Sequence, residues 1–243
     1  MSSFSELGLK QELLEGVEHL GFTEPTKVQV LAIPTILNSK QDLVALAQTG
    51  TGKTGAFGLP LLHKIDPENK KVQAIVLSPT RELAIQIAKD LKAYAKKLKG
   101  VKSVAVYGGS EIRTQIKALE NGCQVVVGTP GRMLDLIRRK KLRVEAIQTL
   151  VLDEADEMLN MGFQEDLDAI LADTPSEKQT LLFSATMPKQ MSSMAKKYMN
   201  NPAEIEVGER NSGSKDVEHQ YYVVKASNRF ETLKRLVDIH PSM

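Results

Sequence analysis

The chain's 243 residues suffice for one large α/β domain, or for a domain with part of another, and 42% hydrophobic with 26% charged residues is an ordinary globular composition. Thirty-two Lys and Arg against 30 Asp and Glu leave a formal charge of +2, which argues neither for nor against nucleic acid; such a surface would have to come from local placement of charge. A single cysteine, Cys123, excludes an intrachain disulfide and a thiolate metal cluster, the four histidines show no ligand spacing, and no apolar run has the length of a signal peptide core or membrane span, so a cytoplasmic protein is expected.

In chain order, residues 1–41 read as a largely helical segment packed on the core domain, broken at Gly21–Pro25, with Pro34 limiting its second helix. From 42 to 207, short β-branched runs alternate with helical patterns. The expected strands are DLVALA (42–47), QAIVLS (73–78), KSVAVY (102–107), QVVVG (124–128), QTLVLD (148–153), KQTLLFSA (178–185) and AEIEV (203–207). Several are apolar on successive residues, as strands covered on both faces should be. Between them, Leu83, Ile87, Leu91, Tyr94 and Leu98 fall at helical spacing, with Lys89, Lys92, Lys96 and Lys99 on another face. This alternation predicts an α/β fold: a mostly parallel sheet covered by helices on both faces, joined by right-handed crossovers, with ligands at the carboxyl ends of the strands. GERNSGSKD (208–216) reads as a linker. Beyond it, residues 217–243 hold one strand pattern (VEHQYYVVK) and one helix pattern (RFETLKRLVDI), the opening of a second domain whose remainder the chain lacks.

Two strings carry chemistry. AQTGTGKT (47–54) stands between an apolar strand and a helical pattern, the setting of a phosphate-binding loop. Gly50 and Gly52 let the backbone curl so that its N–H groups face phosphate oxygens, Lys53 adds a cation, and the Thr54 hydroxyl can ligate Mg2+. Against the general G-x-x-x-x-G-K-[ST] pattern, Ala47 replaces the first glycine. In VLDEADEM, Asp153 follows a buried run and is the candidate to hold Mg2+, largely through water; Glu154 is the candidate to orient or deprotonate an attacking water. Glu157 reads as an acidic complement to a helix start.

With these residues the chain resembles the DEAD-box family of superfamily 2 RNA helicases, of bacterial type. AQTGTGKT matches that family's motif I, in which a leading alanine is normal, and DEAD (153–156) is its motif II. GFTEPTKVQ (21–29) resembles the Q motif, with Phe4 upstream. PTREL (79–83), the Gly108–Gly109 pair, TPGR (129–132) and SAT (184–186) match further motifs in family order. The resemblance implies a RecA-like P-loop domain over 42–207, with 217–243 as the truncated start of a second one. It implies ATP and Mg2+ as cofactors, with Phe22, Lys27, Gln29, Gln48, Thr49, Gly50, Thr51, Gly52, Lys53 and Thr54 around the nucleotide. Gln29 would face the adenine edge and Phe22 would pack on the base.

RNA is the partner the resemblance implies, bound through its backbone and without sequence preference by Pro79, Thr80, Arg81, Gly108, Gly109, Thr129, Pro130, Gly131 and Arg132. Ser78–Pro79 and Thr129–Pro130 are also good local chemistry for a helix start with Pro at its first position. By resemblance Ser184 and Thr186 bond toward Asp156 and couple nucleotide state to unwinding; locally they could instead head the next helix. The Lys89–Lys99 stripe and RRKKLR (138–143) read as solvated faces, with RNA contact as the alternative. The family's H-R-x-G-R-x-G-R element, which supplies arginine fingers from the second domain, does not occur here. The expectation is a monomer that binds ATP–Mg2+ and RNA but barely hydrolyses or unwinds alone, with 217–243 free to mediate contacts. A non-catalytic nucleotide- and RNA-binding module and a different P-loop enzyme are the competing readings.

Overall fold

The computed structural model describes residues 3–207 and 220–240. All seven expected strands form: β1 (Leu43–Ala47), β2 (Ala74–Leu77), β3 (Ser103–Val106), β4 (Val125–Gly128), β5 (Thr149–Asp153), β6 (Gln179–Ser184) and β7 (Ala203–Val207). They make one sheet in the order β3-β4-β2-β5-β6-β1-β7, every pair parallel. Helices fill the intervals: α1 (Gln11–His19), α2 (Lys27–Asn38), α3 (Lys53–Lys64), α4 (Arg81–Tyr94), α5 (Ile112–Glu120), α6 (Pro130–Arg138), α7 (Ala155–Asn160), α8 (Gln164–Asp173) and α9 (Lys189–Tyr198). Among the described residues no helix is long and apolar enough to cross a membrane.

The strands read as continuous apolar runs because successive side chains enter two different cores. Ala45, Val76, Val127, Val151 and Phe183 face one core with α1 to α4, while Val44, Ile75, Val126, Leu150 and Leu182 face the other with α6 to α9, against which α5 lays Ile112 and Ile116. The topology dictates that division. The crossovers from β1 to β2 and from β2 to β3 travel toward one edge of the sheet, and every later crossover travels back toward the other edge. With a fixed right hand, opposite directions of travel put helices on opposite faces. The chain therefore leaves the adjacent strands β1 and β6 toward different faces, and a crevice opens at their carboxyl ends.

Pro34 does not limit the second helix; it lies inside α2, which continues to Asn38. A proline there deletes its own bond to the Val30 carbonyl, but Val28, Ala32, Ile33 and Ile36 are buried, and that packing holds the helix through the defect. Pro79 is not a first helical residue either. It precedes Thr80, the N-cap of α4, whose hydroxyl accepts a hydrogen bond from the Leu83 N–H at 3.2 Å.

The chain divides into two compact units, Met1–Gly208 and Glu209–Met243. The expected linker, 208–216, lies outside the described residues, as do 217–219. In the second unit, residues 220–225 form no strand; a single strand has no neighbour within that unit to pair with. The expected helix is present as α10 (Arg229–Ile239), after a short 3-10 turn at Ala226–Asn228.

Candidate functional site

The loop after β1 curls through Gly50 (φ 83°) and Gly52 (φ 90°), and Thr51 Oγ1 donates to the Gln48 carbonyl at 2.7 Å. Gly52 caps α3 in a left-handed conformation, and a Cβ there would lie 2.8 Å from Gln29 Nε2 and 3.0 Å from Thr26 Oγ1. Both conformation and space demand glycine. Gln29 is the reason for the crowding. Its Oε1 accepts from the Thr26 N–H at 3.0 Å, closing the cap of α2, while its Nε2 donates to the Gly52 carbonyl at 3.0 Å. The buried amide thus joins α2 to the loop, and keeps one further donor and one further acceptor site.

Lys53 opens α3 with its ammonium buried and without a hydrogen-bond partner. An unpaired buried cation is costly, so the position suits an anion. In the same cleft Asp153 ends β5, 3% exposed. Burial pushes its carboxyl up to about 7, against the pull of Lys53, and the nearby Glu154 charge adds to the rise. The Glu154 N–H donates to Asp153 Oδ1 at 3.1 Å. Glu154 itself takes a left-handed conformation (φ 51°) as N-cap of α7, a strained state for a residue with a side chain, and its Oε1 accepts from Thr49 Oγ1 at 3.3 Å.

These groups line a cleft of about 400 Å3, together with Phe22, Gln29, Gly50, Gly52 and Thr54. Phe22 is 47% exposed, its ring 6.4 Å from that of Tyr94. Lys27, Gln48 and Thr51 do not line the cleft. Tyr94 and Asp90 of α4 do, and neither stood out in the sequence: Tyr94 fits the apolar stripe of its helix, and its contact with Phe22 is non-local. Burial and the Asp90 charge raise the Tyr94 hydroxyl to about 12.

On the neighbouring strand end, Thr186 donates to Asp156 Oδ2 through its N–H at 3.0 Å and its hydroxyl at 2.8 Å, and the Asp156 N–H donates to Ser184 Oγ at 3.3 Å. Burial alone would raise the Asp156 carboxyl; hydrogen bonds from Ser184 and Thr186 outweigh it and hold the group below its usual range. Ser184–Thr186 do not head the next helix, since α9 starts at Lys189 after its N-cap Pro188.

The other half of the carboxyl edge belongs to β2, β4 and β3, adjacent in the sheet. Arg81 is exposed at the start of α4, its guanidinium 5.0 Å from the centre of the Tyr107 ring. Gly108 and Gly109 are exposed, and nothing lies within 4 Å of where their Cβ atoms would be. Thr129 caps α6 with Pro130 as the first helical residue and Gly131 exposed beside it. Arg132 is braced: Nη1 donates to Gln115 Oε1 at 2.9 Å and Nη2 to the Ser110 carbonyl at 3.2 Å. Gln115 Nε2 also donates to the Tyr107 carbonyl at 3.1 Å, so this one amide links two of the three loops. As one polar residue among several in α5 it carried no sequence signal. RRKKLR begins at the last residue of α6 and runs toward the amino end of β5, away from this edge.

Comparison with known proteins agrees with this layout. The family model described as DEAD/DEAH box helicase matches residues 26–194. A protein from Bacillus cereus named DEAD-box ATP-dependent RNA helicase CshA is 49% identical over 239 residues, covering 98% of this chain and 45% of its own length. A Geobacillus kaustophilus protein of the same name is 47% identical, covering 98% of this chain and 51% of its own. The crystal structure of a DEAD box protein from the hyperthermophile Methanococcus jannaschii superposes with a TM-score of 0.81 at 43% identity, over 97% of this chain and 63% of that one. The chain thus spans about half the length of the curated relatives it matches. A match that runs from the cap of α2 into α9, through the phosphate loop, the acidic turn after β5 and the loops of the far half, makes this chain a member of the DEAD/DEAH box helicase family.

Proposed function

We propose that the chain binds ATP with Mg2+ in the cleft after β1 and β5, and single-stranded RNA along the loops after β2, β3 and β4. As part of a longer protein it couples ATP hydrolysis to local unwinding of RNA. The observation that carries this reading is the buried, partnerless Lys53 ammonium sharing a cleft with the buried Asp153 carboxyl. That donor set fits a triphosphate and a hard cation.

Lys53 and the curled backbone of Gly50–Gly52 hold the phosphates. Thr54 and Asp153 hold Mg2+, largely through water; when bound, the ion neutralises charge on phosphate oxygens. Glu154 orients or deprotonates the attacking water. Gln29 offers its remaining donor and acceptor to the adenine edge, and the exposed ring of Phe22 packs on the base. Pro79, Thr80 and Arg81 and Thr129–Arg132 present helix N-termini and charge to backbone phosphates, and Gly108–Gly109 leave room for the sugar-phosphate chain. The Asp156–Ser184–Thr186 bonds couple the two halves. Residues 42–207 form the first RecA-like domain, 1–41 its packed helical extension, and 217–243 open the second.

Calorimetry with ATP, ADP and GTP on the wild type and Lys53→Ala tests the reading. Loss of a charge-assisted bond of about 1.5–3 kcal/mol should weaken ATP–Mg2+ binding tenfold or more. Unchanged affinity in Lys53→Ala would overturn it.

A further inference from the structure

A second cavity in the first unit lies at the opposite edge of the sheet from the nucleotide cleft and the loops after β2, β3 and β4. Its walls are the segments that lead into β2, β4 and β5, and its volume is about 660 Å3, within the range of ligand-binding pockets. The floor is apolar, lined by Val72, Leu119, Leu142 and Ala146 with the buried Cys123. The rim is basic, with Lys70, Lys71, Lys140, Lys141 and Arg143 against Glu120 and Glu145. Lys141 pairs with Glu120 at 3.1 Å and Lys70 donates to the Pro67 carbonyl at 2.7 Å. Lys71, Lys140 and Arg143 are exposed and form no ion pair with a described residue. Lys140 is also one of three residues other than glycine with positive φ (57°) among the described residues, where the chain turns sharply out of α6.

An apolar recess with three free cations on its rim selects for a ligand with an apolar anchor and negative charge beside it. We propose that this pocket docks an acidic peptide segment of a protein partner, one aliphatic or aromatic side chain entering the recess while flanking Asp or Glu residues meet Lys71, Lys140 and Arg143. Rim charges steer the encounter and the buried anchor supplies the affinity. RNA is disfavoured by the same features: no aromatic ring lines the pocket for base stacking, and a phosphate backbone would leave the apolar floor uncovered. Because the pocket sits at the amino ends of the strands, a docked peptide leaves the nucleotide cleft and the loops at the carboxyl edge open. The partner would ride on the protein without competing for its site.

The test is selection of phage-displayed random dodecamers on the immobilised chain, followed by fluorescence anisotropy of the enriched peptide made synthetically. Binding is compared between wild type, Lys71→Glu/Arg143→Glu and Ala146→Glu, with calorimetric ATP binding confirming that each variant is folded. The expected result is enrichment of sequences with Asp or Glu around one apolar residue, and at least a tenfold loss of affinity in both variants while ATP binding is retained. Enriched peptides without acidic residues, or acidic peptides that bind both variants as well as wild type, would overturn the proposal. So would a Lys71→Glu/Arg143→Glu variant that binds the peptide normally but loses affinity for poly(U), which would make the pocket an RNA surface.

Discussion

Gln29 illustrates how much one side chain does in this cleft. With its oxygen on the Thr26 N–H and its nitrogen on the Gly52 carbonyl, it supports both the cap of α2 and the turn that presents Lys53. Gln29→Ala should therefore cost about 1–2 kcal/mol of stability, and should also lower ATP affinity and narrow the preference for ATP over GTP. Urea unfolding and nucleotide titration separate the two effects; GTP binding as tightly as ATP in the wild type would count against adenine recognition. Gly128 makes a purely structural contrast. A Cβ at that position would lie 2.4 Å from the Val106 carbonyl oxygen, which is backbone and cannot rotate away. Gly128→Ala should destabilise the chain by about 1–3 kcal/mol through overpacking, visible as a lower urea midpoint.

At the scale of elements, two bonds from Thr186 to Asp156 and one from the Asp156 N–H to Ser184 Oγ join the end of β6 to the first turn of α7. In a protein that carries both motor domains, Ser184→Ala with Thr186→Val should leave ATP binding within about twofold and depress RNA unwinding by tenfold or more; lost ATP binding would mark the bonds as structural instead. A second junction is sensitive to pH. His63, near the end of α3, accepts the Lys10 N–H at Nδ1, 3.2 Å away, and so clips the N-terminal segment to the domain. Burial first, then the charges of Lys10 and Lys64, hold His63 below its ordinary 6.5. The folded chain resists a proton that the unfolded chain accepts, so this contribution is complete above about pH 6.5 and is lost as pH falls through and below that value. His63→Gln, which keeps an acceptor and cannot titrate, should flatten the fall in urea midpoint between pH 7.5 and 5.5.

On the scale of the whole molecule, the sheet has two working edges. The carboxyl edge carries the proposed nucleotide cleft over β1, β6 and β5 and the proposed RNA loops over β2, β4 and β3, while the amino edge carries the basic pocket. Contacts made to phosphates alone should give RNA affinity that falls with salt, with a log–log slope of about −0.7 per phosphate neutralised on a single strand. Fluorescence titrations of an oligonucleotide across salt concentrations check this, and a flat dependence would contradict backbone binding. The chain contains no H-R-x-G-R-x-G-R string. An arginine finger is worth about 10³–10⁵ in rate, so these 243 residues alone should turn over ATP very slowly, and robust RNA-stimulated hydrolysis by them would refute the assignment of the fingers to a second domain.

The amino-acid sequence by itself determined the seven strands and the helical intervals between them, because apolar runs, helix caps and glycine turns are local properties. It did not determine which motifs meet. Lys53, Asp153 and Asp156 become neighbours only through the order β5-β6-β1, which non-local packing and right-handed crossovers impose. Tertiary burial likewise carried α2 past Pro34, brought Tyr94 to Phe22 and gave Gln115 its hold on Arg132. The basic pocket is tertiary as well, since its cations come from separate segments and face a common recess only when β2, β4 and β5 lie side by side.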